Sequence, residues 1–95
     1  MIKHCIMIKL FDNSNEKKKE VKEKLLSMDG KVATMRSFEV HSDFLSSPRS
    51  YDIFLCCTLD DKKALEDYQN DPYHCEIKAY IKNVAQSVVA VDSEI

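Results

Sequence analysis

Residues 51–59 read Tyr51-Asp-Ile-Phe-Leu-Cys-Cys-Thr-Leu59. At a period of two, Tyr51, Ile53, Leu55, Cys57 and Leu59 share one face of a strand. Phe54, Cys56 and Thr58 share the other, with Asp52 at its end. A strand with one face in water alternates apolar with polar side chains. This strand is apolar on both sides, so its sheet needs cover on both faces.

The same double-faced pattern recurs near both ends of the chain. Residues 2–10 read as a strand with Ile2, His4, Ile6, Ile8 and Leu10 on one face and Cys5 and Met7 on the other. Residues 86–94, QSVVAVDSE, form the last strand, with Val88 and Ala90 opposite Val89 and Val91. A further strand is expected over 34–41, ending at His41. Its apolar members Met35, Phe38 and Val40 do not alternate cleanly.

Helical signals fill the intervals. Asn13, Ser14 or Asn15 caps a helix over 16–28. Val21, Leu25 and Met28 form its buried stripe. Asp29-Gly30 then stops it, with Gly30 as the left-handed cap. Residues 42–50, SDFLSSPRS, are the longest loop. Asp60 or Asp61 caps a short helix over 61–70, with Ala64, Leu65 and Tyr68 inward. Asp71 caps the next helix, over 72–84, with Pro72 at its first position. Ile77, Ile81 and Val84 face inward there. The order β-α-β-β-α-β predicts an α+β, ferredoxin-like fold: an antiparallel four-stranded sheet with helices on one face.

The other face is left without cover, and 95 residues leave no element to supply it. A second copy of the chain is the expected cover. Two open sheet faces packed about a twofold axis make a homodimer with a barrel-like centre.

Composition narrows the function without naming it. The chain reads as one domain, 1–95. A hydrophobic fraction of 44% and a net charge of −2 exclude a disordered chain. The single glycine, Gly30, excludes a glycine-rich nucleotide loop. Fourteen basic against 16 acidic residues lack the basic excess of a nucleic-acid binder. Glu16 to Lys24 carries five Lys and three Glu and reads as a solvated helix face.

Cys5, Cys56, Cys57 and Cys75 lack the spacing of a zinc site and read as reduced thiols. His4, Asp71 and His74 show no metal-ligand spacing either, so no metal is expected. The longest apolar run, Ile53 to Cys57, is five residues. A membrane span needs about 20, so no membrane partner is expected. Lys3, His4 and Lys9 interrupt the opening stretch where a signal peptide needs an apolar run. The cytoplasm is the expected location.

Several stretches resemble the stress-responsive dimeric α/β-barrel (Dabb) family. They are Met1-Ile-Lys-His4, Tyr51-Asp-Ile-Phe-Leu55, Ile81-Lys-Asn-Val84 and Val89-Ala-Val-Asp92. The most specific is Ala64-Leu-Glu-Asp-Tyr68-Gln-Asn-Asp-Pro-Tyr-His74. The resemblance covers essentially the whole chain and implies a ferredoxin-like monomer paired through its sheet. A plant enzyme of that family closes a linear polyketide by aldol condensation without a cofactor. Its catalytic Tyr and His fall on Tyr68 and His74, and a His near the start of strand 1 is matched by His4. Where the family often has His-Pro, this chain has Asp71-Pro72.

Tyr68, His74 and His4 are thus the candidate catalytic residues. The break at Asp71-Pro72 turns Tyr68 and His74 toward the space between helices and sheet, and His4 shares a face with Ile6 and Ile8. A neutral imidazole suits a general base near neutral pH. A tyrosine hydroxyl suits a donor to developing negative charge. Phe11, Leu25, Tyr73 and Tyr80 are the side chains positioned to fill that space. Three functions compete. One is a family protein with a small-molecule pocket and no assigned chemistry. The second is a cofactor-free cyclase or isomerase acting on a carbonyl compound, with His74 as base and Tyr68 as donor. The third is an antibiotic-biosynthesis-type monooxygenase.

Overall fold

Four strands build one antiparallel sheet in the computed structural model, which describes residues 1–95. The elements are β1 (Ile2–Leu10), α1 (Asn15–Leu26), β2 (Phe38–Ser42), β3 (Ile53–Leu59), α2 (Lys62–Asn70), α3 (Pro72–Val84) and β4 (Ala85–Glu94). The strand order is β2-β3-β1-β4. This is the ferredoxin-like arrangement, with its second helix broken into α2 and α3 by Asp71-Pro72.

Register decides which side chains share a face. Ile6 lies opposite Leu55 on β3 and Ala90 on β4, and His4 lies opposite Cys57 and Asp92. Those residues face the helices. The core there includes Ile8, Leu10, Val21, Leu25, Leu55 and Tyr68, all buried. The other face carries Cys5, Met7, Phe54, Val89 and Val91. Met7 is 46% exposed, Val89 45% and Val91 67%. Cys5 and Cys56 pair across β1 and β3 with their sulfurs 3.1 Å apart. No helix is long and apolar enough to cross a membrane.

Several boundaries differ from the sequence reading, each for a local reason. Helix α1 begins after Ser14, whose hydroxyl accepts the Lys17 N–H at 3.2 Å. It ends at Leu26 rather than Met28, because tighter i−3 bonds follow: the N–H groups of Met28 and Asp29 reach Leu25 and Leu26. Gly30 does adopt positive φ, at 79°, but in the turn beyond the helix.

The second strand starts at Phe38, not at residue 34. Arg36 and Ser37 instead hold Thr58 through single backbone bonds, and Arg36 clasps the Asp60 carboxylate at 2.7 and 2.9 Å. The third strand starts at Ile53, because Asp52 turns inward. Its buried carboxylate accepts the Leu10 N–H at 2.8 Å. Lys18 departs from the solvated face expected of 16–24: it is buried, and its ammonium donates to the Asp43 carbonyl at 3.0 Å.

Candidate functional site

Helix α2 ends where the site begins. Asp71 cannot extend the helix before Pro72, and it caps α3 instead. Its carboxylate accepts the N–H groups of Tyr73 at 2.9 Å and His74 at 3.1 Å. The cap fixes the first turn of α3 and so aims His74 back over Tyr68, the rings 4.1 Å apart. The carboxylate thus has a structural task at the position where the resembling family often has histidine. Asp71→Ala is expected to cost about 1 kcal/mol of stability, as lost N-caps do, and Asp71→Asn much less. Urea unfolding of both variants checks this; an alanine variant as stable as the wild type contradicts it.

His4 comes to the same place from the sheet. Its ring meets Tyr68 edge-on at 5.4 Å. His4 Nδ1 donates to the Asp92 carboxylate on β4. That bond fixes which nitrogen carries the hydrogen: Nδ1 points at Asp92, and Nε2 is the other ring nitrogen. Asp92 was not singled out by sequence reasoning. The signal for it is the β1–β4 register, which puts Asp92 beside His4, and no single-strand pattern reveals that.

The three rings open on a cavity of about 640 Å³ between the β1–β4 half of the sheet and α2–α3. That volume is ordinary for a small-molecule site. Ile6, Leu55, Ile77, Val88 and Ala90 give it apolar walls. Of the four side chains positioned to fill it, only Leu25 lines it. Phe11 is exposed, Tyr73 bonds the Ser27 hydroxyl at 2.7 Å, and Tyr80 donates to Glu20 at 2.6 Å. The space between helices and sheet is therefore open.

The electrostatics separate the roles the residues can take. Burial, then Lys78 and His4, hold the His74 imidazole below its usual 6.5, outweighing Gln69 and Asp71. His74 is therefore neutral at pH 7, with its Nδ1 buried and without a hydrogen-bond partner. Burial, then Cys57 and Asp92, push the Tyr68 hydroxyl well up, so it keeps its proton. A neutral imidazole and a protonated phenol in an apolar pocket form a base and a hydrogen-bond donor. His41 lies apart, exposed on β2 and stacked on Phe54 of the opposite sheet face at 6.4 Å.

Solved structures share this fold over nearly the whole chain. A dimeric ferredoxin-like protein of unknown function from Bacteroides fragilis has 23% identity and a TM-score of 0.81, covering 99% of this chain and 95% of that one. One from Thermobifida fusca, also dimeric, has 20% identity and a TM-score of 0.85, covering 99% and 90%. A hydroxynitrile lyase from Passiflora edulis has 11% identity and a TM-score of 0.82, covering 99% and 92%. At these identities the likeness is one of fold. No curated protein sequence matches the chain. The family model for the stress responsive A/B barrel domain (Dabb) matches residues 2–95, and the chain belongs to that family.

Proposed function

We propose that the chain works as a homodimer that binds a small carbonyl compound between sheet and helices and moves a proton on it, as a cofactor-free cyclase or isomerase does. One observation carries this reading: an unpartnered, buried Nδ1 of a neutral His74 in the same pocket as Tyr68. His74 takes the proton from a carbon next to the carbonyl. The C–H electron pair becomes the enolate double bond, and the carbonyl oxygen takes the charge. Tyr68 donates a hydrogen bond to that oxygen. His4, held by Asp92, is the third polar group facing the substrate. The enolate then regains a proton, giving isomerisation, or attacks a second carbonyl carbon, giving ring closure. Four free cysteines support a cytoplasmic location.

The test is deuterium exchange at the α-carbons of methyl nonyl ketone in heavy water, followed by proton NMR. The protein is expected to accelerate exchange over buffer of equal pH and strength. Exchange at the buffer rate overturns the reading.

A pH dependence follows from the His74 ring. In the unfolded chain it takes its proton near 6.5, and in the folded chain only at lower pH. As pH falls through 6.5 the unfolded state gains the proton first, so stability falls; it levels off below the folded value. Thermal melts from about pH 7.5 to about pH 5 are therefore expected to cost the wild type more Tm than His74→Gln. Equal losses contradict the neutral, buried ring.

A further inference from the structure

We infer that the pocket's ligand is an amphiphilic anion: an apolar body against the sheet and a carboxylate or similar group between Lys78 and Lys82. This rests on the reading of the cavity as a ligand site and adds the class of molecule it takes.

The lining is one-sided in charge. Lys78 and Lys82 border the cavity, and no aspartate or glutamate does. The chain as a whole is acidic, with a net charge of −2, so this local excess runs against the average. Both lysines stand one turn apart on α3 and reach the same rim. Neither has an acidic partner. The last turn of α3 favours a cation at Lys82 through the helix dipole. Lys78, a turn earlier, has no such reason to be basic. Behind the two ammonium groups the walls are aliphatic: Ile6, Leu55, Val88 and Ala90. Apolar walls with charge only at the mouth fit a molecule divided in the same way.

Calorimetric titration with decanoate and with decanol, below their aggregation limits, tests this. Decanoate is expected to bind about tenfold tighter than decanol, the size of two partly solvated ion pairs. The preference is expected to shrink with added salt and to vanish in the Lys78→Gln/Lys82→Gln double variant, while decanol binding stays unchanged. Both positions are exposed, so the variant is expected to fold. Equal binding of the two ligands overturns the inference and leaves the pocket reading standing. A preference that survives in the double variant overturns it too, because the anion then sits elsewhere. Binding of neither overturns the pocket reading along with it.

Discussion

Replacing His74 by alanine is expected to slow α-deuteration of methyl nonyl ketone by roughly 10²–10⁴-fold, the contribution of a positioned general base. The loss comes from the chemistry, since the aliphatic walls that hold the ketone stay in place. Tyr68→Phe removes one donor to the enolate oxygen and is expected to cost roughly 10²–10³-fold. The ring of Tyr68 is buried in the core, so phenylalanine keeps the packing and isolates the hydroxyl. Asp92→Asn acts through His4 and is expected to change the rate less than either. The readout that separates chemistry from folding is the dissociation constant of the ketone, expected to change less than threefold in His74→Ala and Tyr68→Phe. If both variants exchange deuterium at the wild-type rate, the acid–base assignment is wrong.

Charging the open sheet face is expected to split the proposed homodimer. Met7 lies opposite Phe54 on one side and Val89 on the other, and Cys5 lies opposite Val91. Those side chains form a continuous apolar strip across β3, β1 and β4, and water would otherwise cover it. Beyond the strip, β4 is a ten-residue edge strand, a length that exposed edges seldom reach without cover. A carboxylate buried there without a partner costs roughly 3–5 kcal/mol. A twofold interface incurs that cost twice. Val91→Asp or Met7→Glu is therefore expected to turn a dimer into monomers at micromolar concentration. Both residues are exposed in the single chain, so the monomer is expected to keep its fold. Light scattering behind size exclusion, with circular dichroism alongside, checks both points. A wild-type mass of one chain contradicts the account of why this sheet is apolar on both faces.

The strands and their faces were legible because a period of two is a strong signal over seven to ten residues. Ile6, Ile8 and Leu55 fell where their alternation put them. Asp71-Pro72 was legible as a cap and a break because proline tolerates only the first turn of a helix. Less local features were harder. The start of β2 was misplaced because Arg36 and Ser37 follow Asp60 and Thr58, partners more than 20 residues away. Asp52 looked like the polar end of a strand and proved to be a buried acceptor for Leu10. Its role depends on β1 passing beside it. The same holds for the site. Tyr68 and His74 could be placed together from a single helix break, and His4 from its strand face. Asp92 needed the β1–β4 register, and the open cavity needed the hydrogen bonds that draw Tyr73 and Tyr80 away.

The central claim is that His4, Tyr68 and His74 meet one ligand in one pocket. The most direct measurement is a heteronuclear NMR titration of the histidine ring nitrogens with methyl nonyl ketone. The chain has three histidines, and His41 on the opposite sheet face is an internal control. The expected result is that His4 and His74 shift together with a single dissociation constant while His41 stays still. If the ketone saturates and His74 does not move, or His41 moves as far, the ligand site lies elsewhere and the account fails.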